Sequence, residues 1–231
     1  MVVHWGNRFL SRRDAVWVLV VAGSLWGLSE VVLDAALRAF LPQVRAGVLV
    51  GVGMLLMGVV TGLGVRPMLL LAAASIAVAC RQLAVPMLGA SILCKANASL
   101  AVMLQACALV GVASVFGQRM HERSLIRGIA AATAALSAAG AFWVIGLRVA
   151  PCAYLMSFGR PGGFPAFLGR EGLLWAAMSG LAMPVGYRWG QRVAEGAEAI
   201  RAEKSGLVYA ASAVLTLSCW VMVCVATAYG Y

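Results

Sequence analysis

Seven stretches of this chain run for about twenty residues each with few or no charges, and that recurrence narrows the fold more than any other feature. They lie at roughly 15–40, 46–65, 67–86, 96–117, 128–148, 172–189 and 207–229. A helix needs about 20 mostly apolar residues to cross a bilayer. Inside lipid, only helices and closed barrels satisfy every backbone N–H and C=O. A barrel would show shorter segments of alternating polarity, and these runs do not alternate. The chain is 63% apolar and only 11% charged, against about 25% charged in ordinary soluble domains. A soluble globule could not hide that much apolar surface, and the same composition excludes disorder.

The expected fold class is therefore all-α integral membrane: a polytopic helical bundle of six to seven transmembrane helices in a single transmembrane domain spanning 1–231. Its six-helix core covers about 15–190. A short polar cytoplasmic segment follows at 191–206, then an extra helix at 207–229. The run at 67–86 is the weakest of the seven, because Arg81 interrupts it. Arg12-Arg13 before the first run resembles a twin-arginine export signal only in that pair, and no small-x-small cleavage site follows. The expectation is a retained first span with a basic cytoplasmic flank.

The formal net charge is +10. In a soluble protein that would raise nucleic acid as a partner. Here the basic residues gather between the apolar runs, where they set orientation. With seven spans and the N-terminus cytoplasmic, eleven Lys and Arg fall inside and seven outside. The expected location is the inner cell membrane, N-terminus in and C-terminus out, with the lipid bilayer as partner and no nucleic acid. Six cysteines (80, 94, 107, 152, 219 and 224) form no CxxC, and the histidines are His4 and His121. No zinc or haem spacing exists, so no metal or cofactor is expected, and the cysteines read as small apolar packers. There is no HExxH, GxSxG or GxxxxGK[ST], so no enzyme is expected and any ATP-driven step would need another subunit. The seventh run has no lysine, which excludes a retinal Schiff base there.

Ionisable residues inside spans are costly and mark functional positions by default. The first run carries Glu30, Asp34 and Arg38 at i, i+4, i+8, with Gly23, Gly27, Glu30 and Asp34 along one helical stripe. At about 1.5 Å per residue, Glu30 lies roughly 22 Å from Ala15, and Arg81 lies roughly 21 Å beyond Pro67. Both then sit in the outer half of the membrane. Lys95 and Asn97 open the fourth span from outside, and Arg148 closes the fifth there. Beneath the Pro- and Gly-rich segment 149–171, polar groups from four spans are expected at one level. Glu30, Asp34, Arg81, Lys95, Asn97 and Arg148 are the candidate ligand-binding residues. Arg81, Lys95 and Arg148 suit an anion, Glu30 and Asp34 an amine or cation. The alternative is an ion-pair network that only locks helices together. The glycine spacings Gly23-x3-Gly27, Gly47-x3-Gly51 and Gly58-x3-Gly62 allow close helix approach, within the chain or to a partner subunit.

Ser24-Leu25-Trp26-Gly27-Leu28-Ser29-Glu30, the stretch from Ala74 through Arg81 to Asn97 and Gln105, and Met183-Pro184-Val185-Gly186-Tyr187-Arg188 together give the chain a resemblance. Over about 15–190 it resembles the substrate-binding (S) components of energy-coupling-factor transporters. The resemblance implies a six-helix bundle that captures a vitamin or ion from outside, working with a transmembrane coupling subunit and ATPase subunits. Glu30, Arg81 and Asn97 lie in the resembling stretches. Two features depart from the family: Gly23-x3-Gly27 stands where an Ala-x3-Ala docking pattern is usual, and the seventh run is extra. No His-rich N-terminus of the nickel and cobalt type is present.

The leading expectation is a membrane-embedded substrate-binding component of a small-molecule uptake transporter. The alternative is a non-catalytic membrane scaffold subunit of a larger complex. A third reading, an intramembrane enzyme using Glu30 or Asp34 as a base, has no specific motif behind it.

Overall fold

The computed structural model describes residues 10–87 and 96–229, with only the backbone at 83, 84, 86, 87 and 197–205. Among the described residues the chain is all helix, without a strand. Its helices are α1 (Arg12–Leu28), α2 (Asp34–Phe40), α3 (Arg45–Gly62), α4 (Leu70–Met87), α5 (Ala96–Phe116), α6 (Arg119–Glu122), α7 (Ser124–Val149), α8 (Ala153–Met156), α9 (Gly163–Phe167) and α10 (Leu173–Ala228). A π turn, Ser29–Leu33, fuses α1 to α2, and a second, Leu168–Gly172, fuses α9 to α10.

Among the described residues five helices are long and apolar enough to cross a membrane: Arg12–Phe40, Arg45–Gly62, Ala96–Phe116, Ser124–Val149 and Gly206–Ala228. That is fewer than the six to seven expected. The run at 67–86 is a shorter apolar helix, Pro67–Gln82. The run at 172–189 is not a separate helix but the start of the 56-residue α10, which also absorbs the polar stretch 191–206 and the expected extra helix. Those polar residues have ordinary helical propensity, and no proline lies between Gly190 and Gly206 to end the helix.

Chain breaks follow local chemistry. Ser11 caps α1 by accepting from the Asp14 backbone N–H at 3.2 Å. Leu41 precedes Pro42 and is forced out of the helical region. At the end of α3, Gly64 takes φ +85°, a left-handed turn open to glycine at little cost. Arg66 then extends before Pro67, which opens the 3-10 turn Pro67–Leu69 leading into α4.

Side-chain contacts fix the directions of the helices. Trp26 packs on Gly53 and Asp34 pairs with Arg45, so α1 and α3 are antiparallel. Gly23 meets Ala73 and Ile76, and Gly27 meets Ala77 and Cys80, so α1 and α4 run parallel. Gly47, Gly51, Gly58 and Gly62 of α3 meet Leu174, Met178, Met183 and Tyr187 in order, so the first arm of α10 runs with α3. Tyr209 bonds to Asp14 and Trp220 to Ser24, so the last arm of α10 runs with α1. The two arms thus point in opposite directions. Straight, 56 residues would reach about 84 Å, and Tyr209 could not return to Asp14. The direction of α10 therefore reverses between Gly190 and Tyr209, so that its two ends form separate arms of the bundle.

Small residues hold the bundle together. Every glycine of the Gly-x3-Gly pairs in α1 and α3 is in contact with this chain itself. A Cβ on Gly62 would lie 2.3 Å from the Tyr187 carbonyl, and one on Gly186 only 2.0 Å from that of Leu55. Such approach is what small-residue faces provide where no hydrophobic drive acts between helices. On α7, Ala130, Ala131, Ala134, Ala135, Ala138 and Ala139 are buried at helical spacing. The core joins Trp26, Met54, Met57, Leu109, Phe142, Phe167, Trp175 and Met183.

Candidate functional site

Among the described residues four carboxylates are buried: Asp14, Glu30, Asp34 and Glu171. A buried charge is tolerated only when paired and hydrogen-bonded, so their partners define the polar interior. Glu30 accepts from Arg81 Nη1 at 2.6 Å, with both side chains under a tenth exposed. The helical-rise arithmetic placed these two at one depth, and the parallel packing of α1 on α4 brings them into contact. The Nε of Arg81 has no hydrogen-bond partner.

Asp34 departs from the expected stripe. Gly23, Gly27 and Glu30 face α4, but Asp34 faces the α3 end of the bundle. It takes Arg38 at 2.6 Å and Arg45 at 3.3 Å. The cause is the π turn Ser29–Leu33. It holds one more residue per turn than an α-helix, and one residue is about 100° of rotation. Asp34 swings by about that angle away from the glycine face. It stays near enough to Glu30 for their charges to repel.

Two residues outside the sequence-level candidates extend this cluster. Glu171, in the second π turn, accepts a hydrogen bond from the Tyr154 hydroxyl, and Arg170 Nε lies 3.8 Å from it. Arg45 is close enough to act on Tyr154 electrostatically. Burial and the bond to Glu171 push the Tyr154 phenol well above its ordinary value. The charges therefore form three groups, Arg170 and Tyr154 on Glu171, Arg38 and Arg45 on Asp34, and Arg81 on Glu30, which act on one another through charge and not by contact. Each π turn contributes a buried glutamate to them. Glu171 had a signal in the sequence: it is the one acid between Glu122 and Glu195. Arg45 had none beyond its charge.

Segment 149–171 is irregular, as expected, with the short helices α8 and α9 in it. Tyr154–Glu171 ties it down over these charges. Asn97 and Arg148 do not join these charges. Asn97 accepts from the backbone N–H of Ala98 at 2.9 Å, at the start of its own helix. Arg148 is exposed at the end of α7 and makes no ion pair among the described residues. Lys95 lies outside the described residues. Beside Asn97, Gln82 donates to Ser99 Oγ at 2.8 Å, joining α4 to α5. Gln105 donates to the Val50 carbonyl at 2.7 Å, an interhelical bond as its position suggested.

A second polar cluster sits at the opposite end. Arg127 donates to the carbonyls of Met120 and His121 at 3.0 and 2.9 Å, and its guanidinium lies 4.0 Å from the centre of the Tyr187 ring. The Tyr187 hydroxyl lies 2.9 Å from His121 Nδ1. Burial, then the charge of Arg127, push the His121 imidazole below its ordinary value. The adjoining cavity has room for about one water, and Arg127 serves there to lock the α6–α7 turn onto α10. Among the described residues no group of three His, Cys, Asp or Glu side chains is placed to hold a metal ion. No family model matches the chain, and neither a curated protein nor a solved structure does.

Proposed function

We propose that the chain is a membrane-embedded capture component of a small-molecule uptake system, receiving its ligand at the end of the bundle covered by 149–171. The carrying observation is the gathering of three groups of buried or half-buried charges, Arg170–Glu171–Tyr154, Arg38–Asp34–Arg45 and Glu30–Arg81, at that end of the bundle. Four arginines (38, 45, 81 and 170) face three carboxylates there. The surplus cation favours an anionic or zwitterionic ligand, such as a vitamin-like carboxylate. The resemblance to S components is in keeping with this reading, and a coupling subunit with ATPases would then supply the drive.

Seven exposed arginines (12, 13, 66, 119, 123, 188 and 192) crowd the opposite end. By the positive-inside rule that end is cytoplasmic, so the inner membrane holds the chain with its N-terminus in. The scaffold reading rests on the glycine faces of the first two runs and on the lack of catalytic motifs. The occupation of those faces by this chain's own helices removes its motive at those positions.

The test is native mass spectrometry of protein purified gently from its own membrane. A small molecule bound to wild type and lost from Arg81→Ala and Arg45→Ala would support capture and give the ligand's class. An empty chain held stoichiometrically by other membrane subunits would replace this reading with the scaffold.

A further inference from the structure

The outer face of segment 149–171 carries a basin of about 320 Å3, lined among others by Ser157, Phe158, Arg160, Gly163 and Arg170. Its shape is fixed by the backbone. Gly162 holds φ +80°, and a Cβ on Gly163 would lie 1.8 Å from the Phe158 carbonyl, so both positions admit only glycine without rearrangement. The Gly163 N–H donates to the Arg160 carbonyl at 2.9 Å and closes the turn. The chain doubles back there, and Arg160 and Arg170 come to line one bowl.

Both guanidiniums have donors to spare. Arg160 is exposed and makes no ion pair among the described residues. Arg170 is 63% exposed, and its neighbour Glu171 at 3.8 Å is already engaged by Tyr154. No carboxylate lines the basin. The Ser157 hydroxyl donates to the Tyr154 carbonyl and is not available as a donor. Two planar guanidiniums, Arg160 with no ion pair among the described residues and Arg170 held only by Glu171 at 3.8 Å, match the oxygens of a phosphate better than a lone carboxylate, because each can bind two of them. The surroundings agree. Val149, Met156, Phe164 and Leu173 are exposed apolar residues around the same end of the bundle, where α7 stops and α10 begins. In the proposed orientation this is the level of lipid headgroups, with an apolar rim beside them for acyl chains.

We propose that the Arg160–Arg170 basin binds a phosphate group, carried either by a lipid headgroup or by a soluble phosphorylated molecule. The site is separate from the Glu30–Arg81 contact; it shares Arg170 with the charges behind the capture reading, while Arg160 belongs to the basin alone.

The experiment titrates the full-length protein in detergent with three probes, followed by native mass spectrometry: phosphatidylglycerol, diacylglycerol with the same chains, and glycerol 3-phosphate. Wild type is expected to hold one phosphate-bearing probe more tightly than diacylglycerol. Each of Arg160→Gln and Arg170→Gln should weaken that binding about tenfold, the loss of one charge-assisted contact. Diacylglycerol binding should stay unchanged. Preference for phosphatidylglycerol identifies a lipid, and preference for glycerol 3-phosphate a soluble ligand. Arg119→Gln, at the opposite end, controls for general basicity, and Arg160→Gln removes only an exposed side chain, so folding is not at stake. Equal binding of all three probes, or an unchanged phosphate preference in the Arg160→Gln/Arg170→Gln double variant, would overturn the proposal.

Discussion

Breaking the Glu30–Arg81 contact should cost stability, and breaking it from both sides at once should restore most of what either change loses. Charge centres about 4 Å apart attract by about 4 kcal/mol in an effective dielectric of about 20. Removing one partner of a buried pair leaves the other charge uncompensated, at about 3–5 kcal/mol. Both side chains here are under a tenth exposed, so little solvent screening applies. Glu30→Leu and Arg81→Leu should each cost about 3 kcal/mol, while the Glu30→Leu/Arg81→Leu double variant should lie within about 1 kcal/mol of wild type. The coupling energy is then about 5 kcal/mol, several times the average of about 0.6 kcal/mol for interhelical hydrogen bonds in a membrane protein. The assay is reversible unfolding in mixed micelles with rising dodecyl sulfate, followed by circular dichroism for the four members of the cycle. A coupling near 0.6 kcal/mol or below would refute the reasoning, since a dry, mutually dependent pair cannot be that weak. The number also bears on capture. A ligand that separates the pair must replace about 5 kcal/mol, a large share of the roughly 8 kcal/mol in a micromolar affinity. Tight binding then requires a ligand with charges for both partners.

Three further outcomes are expected. Gly186→Ala should destabilise by about 1–3 kcal/mol through overpacking, because its new methyl meets the Leu55 carbonyl at 2.0 Å; Gly111→Ala, with nothing within 4 Å, should be neutral or slightly stabilising. The melting temperature should fall as pH drops below about 6.5. His121 has a folded value below its ordinary one, so the stability it contributes is present above the unfolded value and lost as pH falls through the folded one. His121→Gln should flatten that slope. Tyr209→Phe with Trp220→Phe removes the bonds to Asp14 and Ser24, each 2.8 Å, or about 2 kcal/mol together. Hydrogen exchange over 206–228 should then quicken by roughly 5–30-fold, and unchanged exchange would mean that the last arm of α10 does not pack along α1.

The sequence carried much of this architecture because lipid-scale apolar runs and loop charges are one-dimensional signals. Helical rise alone put Glu30 and Arg81 at one depth, and they touch. The continuity of α10 was not legible, because the polar residues and Gly196 between Gly190 and Gly206 read as a connecting segment between two apolar runs. Which faces the glycines pack against was also hidden, because a small-residue stripe is the same whether it meets this chain or another. Most hidden were the π turns. Ser29–Leu33 has no proline or glycine and suits an α-helix equally well, and the two glycines of Leu168–Gly172 weaken a helix without specifying a π turn. Their effect is felt only in the directions that Asp34 and Glu171 take.

That rotational effect can be tested directly. If the π turn is what carries Asp34 from the α4 face to Arg45, deleting one residue within it should return the segment to α-helical winding. Asp34 would then turn back by about 100°. Val32 is the suitable residue, being 38% exposed and outside the core. In wild type, Asp34→Asn should cost about 1–3 kcal/mol: Asp34 is buried, but Arg38 and Arg45, at 57% and 37% exposed, can turn to solvent when it is lost. In the Val32 deletion Arg45 should already be released, and Asp34→Asn should cost less than half as much. Tyr154, which feels the charge of Arg45, supplies an independent reading, because its spectrophotometric titration should shift when Arg45 is freed. An undiminished Asp34→Asn penalty with an unmoved Tyr154 titration would mean that the Asp34–Arg45 contact survives without the extra residue. The π turn would then be a consequence of the ion pair rather than its cause.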